Sequence, residues 1–229
     1  MTLAIMQPYF FPYIGYWQLL QVADTFVIYD DVNYIKQGYI NRNSILAGGT
    51  SQKITLEVIG ASSNKLINEI HVGNNTKKLL KSIDQAYRKA PQYENVYPLI
   101  QSILENPEKN LAKFLGSSIQ DISKYLEIDV DIIYSSDLDK DNSLKAQDKV
   151  LHICKKLNAS KYVNAIGGQE LYSKETFFSQ KIELSFIDTK TIEYPQFKNA
   201  FVPYLSIIDI MMFNSKQDIK IMLNQYKLI

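Results

Sequence analysis

Three clusters of side chains in this chain have the residue types and spacings that chemistry requires. Asp30-Asp31 is a carboxylate pair directly after the apolar run Thr25-Phe26-Val27-Ile28-Tyr29. In a loop at the end of a strand both carboxylates can face one cleft, as a general base or as ligands for a hard cation such as Mg²⁺; the alternative is a solvated strand end. Arg42 is one of two arginines, with Arg88, among 25 basic residues. In a chain that otherwise uses lysine, an arginine points to a need for its planar fork, for bidentate binding of carboxylate or phosphate or for an internal ion pair. Asn43 beside it and Lys36 upstream fall in the same binding set. Tyr13-Ile14-Gly15-Tyr16 is the third cluster. A glycine at a helix start lets phosphates approach the free N–H groups, while its aromatic neighbours equally suit a packing corner. Gln7, Tyr9, Tyr13, Tyr16 and Tyr34 are expected to bind substrate, the tyrosines through stacking and hydroxyl contacts.

Single residues add to these. His71, in Ile70-His71-Val72-Gly73, is the one histidine placed to act as a base; its apolar neighbours also suit a structural role. His152 and Cys154 lie two apart in a helix-like run, too near in sequence to share one helix face, so the site is read without a metal and Cys154 as a small buried thiol. Gly167-Gly168 ends a strand and opens a helix, where backbone can come close to a ligand and form one wall of its site. No Ser-His-Asp order, nucleophile elbow or Walker-type glycine loop occurs.

The elements that must position these residues follow from periodicity. Leu3 to Met6 is a buried strand broken at Gln7-Pro8, Tyr16 to Ala23 has apolar residues at helical spacing, and Thr25 to Tyr29 is a second apolar strand. Such a βαβ unit implies a parallel sheet covered on both faces, with ligands outside the carboxyl ends of the strands, where Gln7 and Asp30-Asp31 fall. Residues 33–72 alternate around the turn Ala47-Gly48-Gly49-Thr50, which predicts an inserted antiparallel hairpin with its first strand running from Val32 and an edge strand over Lys65 to Val72. Residues 75–126 are helical: Lys77 to Lys89, Tyr97 to Leu104, and Leu111 to Leu126 with Pro107 in its first turn. Strands at Val130 to Tyr134, Tyr162 to Ile166 and Ile182 to Ile187 then alternate with helices at Ser143 to Leu157 and Gly168 to Phe178. Ser206 to Phe213 and Asp218 to Tyr226 form a helical ending. The fold class expected is α/β: a Rossmann-like, mostly parallel sheet with helices on both faces, as a single domain over 1–229.

Composition narrows the function. With 25 basic and 24 acidic residues in 229, nothing draws the chain to nucleic acid or an anionic membrane. A lone cysteine excludes an internal disulfide and suits a reducing compartment, the start of the chain lacks a signal-peptide pattern, and no apolar run reaches the ~20 residues that span a bilayer. A cytoplasmic location is expected.

The string Gln7 to Ile45, QPYFFPYIGYWQLLQVADTFVIYDDVNYIKQGYINRNSI, resembles the signature of the WbqC-like family of bacterial proteins, and Tyr134 to Leu138, Ile166 to Tyr172 and Phe201 to Asp209 continue the match. The resemblance implies a sugar-modifying transferase of surface-polysaccharide (O-antigen) biosynthesis that moves glycine or another acyl group to an amino sugar, free or nucleotide-linked. The region around Gly15 is also similar to the His-x-Gly-His motif of nucleotidylyltransferases and pantothenate synthetases, with both histidines replaced by tyrosine. The donor stays open between an ATP-activated acyl group and an acyl thioester. The partner expected is a small-molecule sugar. In this reading Arg42 holds a carboxylate or phosphate, and Asp30 or Asp31 takes the proton of the attacking amine. The rivals are a non-catalytic nucleotide- or sugar-binding protein and a metal-dependent glycosyltransferase.

Overall fold

The computed structural model describes residues 1–229. Its strands are β1 (Thr2–Met6), β2 (Thr25–Ile28), β3 (Arg42–Ala47), β4 (Thr50–Thr55), β5 (Val58–Ile59), β6 (His71–Val72), β7 (Asp131–Tyr134), β8 (Lys161–Ala165), β9 (Glu183–Thr189) and β10 (Tyr226–Leu228). Its helices are α1 (Ile14–Val22), α2 (Thr76–Tyr87), α3 (Tyr93–Leu104), α4 (Leu111–Tyr125), α5 (Ala146–Lys156), α6 (Lys174–Ser179), α7 (Ile207–Phe213) and α8 (Lys216–Met222).

Six strands form the main sheet in the order β10-β9-β8-β1-β2-β7. All neighbours are parallel except β10, which runs antiparallel to β9. Counting only the parallel strands in chain order, the arrangement is 3-2-1-4-5, the doubly wound order. The chain builds outward from β1 to β2 and β7, then returns to the other side of β1 with β8 and β9. The switch point lies between β1 and β8, the place where such sheets open a crevice for ligands.

Because side chains alternate across a strand, the apolar strands feed two cores. Ala4, Phe26, Ile28, Val163 and Ile187 face the larger core, packed with α1 and the helices of the 76–125 region and the C-terminal part. Leu3, Ile5, Val27, Tyr162, Leu184 and Phe186 face the smaller core, under α5 and α6. The sheet is thus covered on both sides, and no helix is long and apolar enough to cross a membrane.

Five expectations are corrected. Residues 32–41 are loop rather than strand: backbone pairing there shrinks to a single bridge between Asn33 and Leu66, and side-chain amides add bonds beside it, Asn33 donating to the Ser63 carbonyl at 3.0 Å and Asn41 to the Leu56 carbonyl at 2.8 Å. The hairpin begins at Arg42, paired with Thr55. Over 65–72 only His71 and Val72 are strand, paired with β5. Helix α3 starts a turn early, at Tyr93, with Pro98 inside it and the Tyr93 and Tyr97 rings stacked 4.9 Å apart. Helix α4 begins at Leu111 with Asn110 as its cap, so Pro107 lies outside it. The last helix ends at Met222, and Tyr226 to Leu228 joins the sheet edge instead.

Candidate functional site

The loop after β1 is shaped by alternate aromatic residues. Phe10 and Phe11 are fully buried in the larger core, and Phe11 has a left-handed backbone (φ 45°). Asn43 holds that conformation by donating to the carbonyls of Phe10 (3.1 Å) and Phe11 (2.7 Å). Trp17 fixes the loop's far end, its indole N–H donating to the Pro12 carbonyl at 2.9 Å. With the phenylalanines drawn into the core, Tyr9 and Tyr13 stay half-buried at its edge, at the carboxyl end of the sheet.

There they border a cavity of about 620 Å³ at the switch point. Its floor is Ile5, Met6 and Gln7 from the end of β1, Tyr16 and Leu19 from α1, and Tyr29 just past β2. Opposite stand Asn164, Ala165, Gly167, Gly168, Leu171 and Tyr172 at and beyond the end of β8; Tyr39 and Tyr204 complete the lining with Ile35, Pro12 and Asn43. No Asp, Glu, Lys, Arg or His side chain contributes. The polar equipment is amides and phenols. Asn43 and Asn164 are committed to the protein, Asn164 donating to the Tyr162 hydroxyl at 3.0 Å and accepting from the Ala165 N–H at 2.7 Å. The Gln7 side chain makes no hydrogen bond within the protein, so its amide is free for a ligand. Burial pushes the phenols of Tyr9, Tyr13, Tyr16, Tyr29 and Tyr172 above their ordinary range, so they serve as neutral donors and acceptors.

Of the residues expected to form the site, Gln7, Tyr9, Tyr13, Tyr16, Asn43, Gly167 and Gly168 come together on this cavity, while Tyr34, Lys36, Arg42, Asp30, Asp31 and His71 do not border it. The two carboxylates part company instead of facing one cleft. Asp30 is 2% exposed and ties the end of β2 to the turn after β7, accepting from Ser136 N–H (3.0 Å), Ser136 hydroxyl (2.6 Å) and the Asn68 amide (3.3 Å). Asp31 sits between two buried lysines, 2.8 Å from Lys140 Nζ and 3.1 Å from Lys149 Nζ. Two ammonium groups beside one carboxylate repel a cation, so this pair is not built as a metal site. Tyr34 is buried and donates to the Asn41 side chain at 2.8 Å. Arg42 donates from Nε to the Gly38 carbonyl at 3.0 Å. Lys36 is exposed, and His71 is exposed on the two-residue strand β6.

Gly15 explains the tyrosine cluster. A Cβ there would collide with the Tyr13 hydroxyl and come within 2.7 Å of Thr189 Oγ1, so the opening a glycine makes at the helix start is filled by the protein's own side chains. With that space occupied and no cation on the lining, the cavity does not fit a triphosphate. The expected reading overlooked Tyr29, Tyr39, Asn164, Tyr172 and Tyr204. A period-two pattern would have flagged Tyr29, because it follows Val27 on one face of β2; Tyr39 and Tyr204 lie on loops, where periodicity says nothing.

The chain is 25% identical to an uncharacterized protein of Mycobacterium tuberculosis over 213 residues, 91% of each chain. No solved structure gives a significant match. The WbqC-like protein family matches residues 7–221, which include the switch-point loop and both walls of the cavity, and the chain belongs to that family.

Proposed function

We propose that the switch-point cavity binds an amino sugar and that the protein transfers an acyl or aminoacyl group, such as glycyl, to the sugar nitrogen in surface-polysaccharide synthesis. The observation that carries this reading is the lining itself: an aromatic, charge-free pocket with a few amides suits a neutral, hydroxyl-bearing ring. The C–H faces of a pyranose stack on phenol rings, and the free Gln7 amide, with one acceptor and two donors, can read ring hydroxyls.

The chemistry needs the amine without its proton, because an ammonium has no lone pair to attack a carbonyl. A lining without a carboxylate supplies that condition by desolvation, since burial lowers the affinity of an amine for its proton. With an acyl thioester as donor, the nitrogen forms the new bond to the acyl carbon, the carbon–sulfur bond breaks, and the departing sulfur takes the amine proton. Gln7 and the tyrosines orient the ring, and the Gly167-Gly168 wall leaves room beside it, as a Cβ at Gly167 would meet nothing within 4 Å. Asp30 and Asp31 act in this reading through the fold, by fixing the ends of β2 and β7.

A second reading, a binding protein without turnover, is favoured by one observation: apart from tyrosine, no acid, base or nucleophile lines the cavity. A thermal-shift screen of amino sugars, nucleotide-sugars and acyl thioesters, followed by mass detection of an acylated sugar, separates the two. Acylated product establishes the transferase; saturable sugar binding with no product under any donor establishes the binding protein.

A further inference from the structure

Two of the most exposed aromatic side chains of the molecule stand at the mouth of the cavity. Tyr204 is 86% exposed and Tyr39 is 62% exposed, and both border the cavity. Neither is a loose surface ring. Tyr39 ends a row of aromatics that leads out from the floor: Tyr16 lies 5.7 Å from Tyr9, and Tyr9 lies 6.0 Å from Tyr39. Tyr204 has a left-handed backbone (φ 58°), a conformation that a bulky residue adopts only where the surroundings enforce it.

Those surroundings are on the loop before α7. Buried Asp209 accepts from Tyr87, Tyr194 and Gln196, each at 2.7 Å. The Gln196 amide then brackets Val202, accepting from its N–H at 2.7 Å and donating to its carbonyl at 3.1 Å. Ser206 N–H closes the segment onto the Ser44 carbonyl at 2.8 Å. The loop is pinned on both sides of Tyr204, yet its ring is left in solvent, where it gains little from the fold. Rigid presentation of an aromatic ring at the rim of a cavity is what stacking on a ligand requires.

The geometry points to Tyr39 and Tyr204 as a clamp that grips a second sugar ring, so that the ligand is a phosphate-free saccharide of at least two rings rather than a nucleotide-linked monosaccharide. This inference rests on the sugar-binding reading above. The space inside is that of a drug-sized ligand, which one hexose leaves partly empty. The diphosphate of a nucleotide-sugar would bring two negative charges to a lining that offers no cation, whereas a second pyranose brings only hydroxyls and C–H faces.

The test is calorimetric titration of the protein with glucosamine and galactosamine, their β-linked disaccharides, and the UDP form of each. The disaccharide of the preferred sugar is expected to bind about tenfold tighter than the monosaccharide, and the UDP form no tighter than the monosaccharide. Tyr204→Ala and Tyr39→Ala should each bring the disaccharide-to-monosaccharide ratio close to one. Phe178→Ala, at an exposed aromatic that borders neither this cavity nor its neighbour, should keep the ratio of the wild type. Tightest binding of a UDP-sugar, or a disaccharide preference that survives both tyrosine substitutions, overturns the clamp while leaving sugar binding intact. Failure of every saccharide to bind overturns the sugar-binding reading and the clamp with it.

Discussion

Tyr16 donates its hydroxyl to the carbonyl of Gln7 at 3.0 Å, so the first turn of α1 holds the residue that follows β1. The bond crosses the floor of the cavity, and burial keeps the phenol protonated far above its ordinary range. Tyr16→Phe leaves the Gln7 carbonyl without this partner and is expected to cost about 1–2 kcal/mol, read as a lower urea midpoint, together with weaker ligand binding as Gln7 shifts. An unchanged midpoint and affinity would show that the bond does not organise the floor.

Gln7 itself behaves differently. Its side chain supports nothing in the protein, so Gln7→Ala should leave stability within about 0.5 kcal/mol of wild type. Affinity for the bound amino sugar should fall about tenfold, measured by calorimetry, through loss of hydrogen bonds to the ring. A stability loss without an affinity loss would assign Gln7 to the fold alone.

Asp30 carries an opposite expectation. Its carboxylate accepts three hydrogen bonds and is nearly inaccessible. Asp30→Ala strands those donors and should destabilise by about 2–4 kcal/mol in urea unfolding. If instead the variant keeps its midpoint and loses all turnover, Asp30 is a reacting group.

Asp31 makes stability depend on pH. Burial pushes its carboxyl up, but Lys140, Ser135 and Lys149 more than offset this and hold it below the ordinary range. A depressed folded value stabilises the fold above the unfolded pKa of about 3.9, and that stabilisation is lost as pH falls through the folded value. Urea midpoints should therefore drop below about pH 4 more steeply for wild type than for Asp31→Asn. At pH 7 the substitution, which leaves two buried lysines unpaired, should cost about 3–5 kcal/mol. Parallel acid profiles of the two proteins would remove Asp31 from the account.

The parts of the fold that local pattern governs were legible in the sequence. The unit β1-α1-β2 and strands β7, β8 and β9 follow from apolar runs between turn residues, and their parallel pairing from burial on both faces. Pairings decided at a distance were not: β10 depends on the free edge of β9, and the loop over 32–41 depends on Asn33 and Asn41 reaching carbonyls more than a dozen residues away. Charge misled in the same way. Asp30, Asp31 and Arg42 drew attention as ionisable groups near strand ends, but periodicity cannot tell a side chain that enters a cavity from one that ties the turn beside it. Tyr9, Tyr13 and Tyr16 were legible beside Gly15, but Tyr39, Tyr172 and Tyr204, among 16 tyrosines in the chain, carry no signal until the backbone gathers them at the cavity.

The central claim is that ligand binds at the switch point between β1 and β8. Its most direct test is a crystal structure of the protein with the amino sugar that gives the largest thermal shift. The account predicts a sugar ring among Tyr9, Tyr29 and Tyr172 with the Gln7 amide on its hydroxyls. A sugar bound against His71 or Arg42, with this cavity holding only solvent, would contradict it.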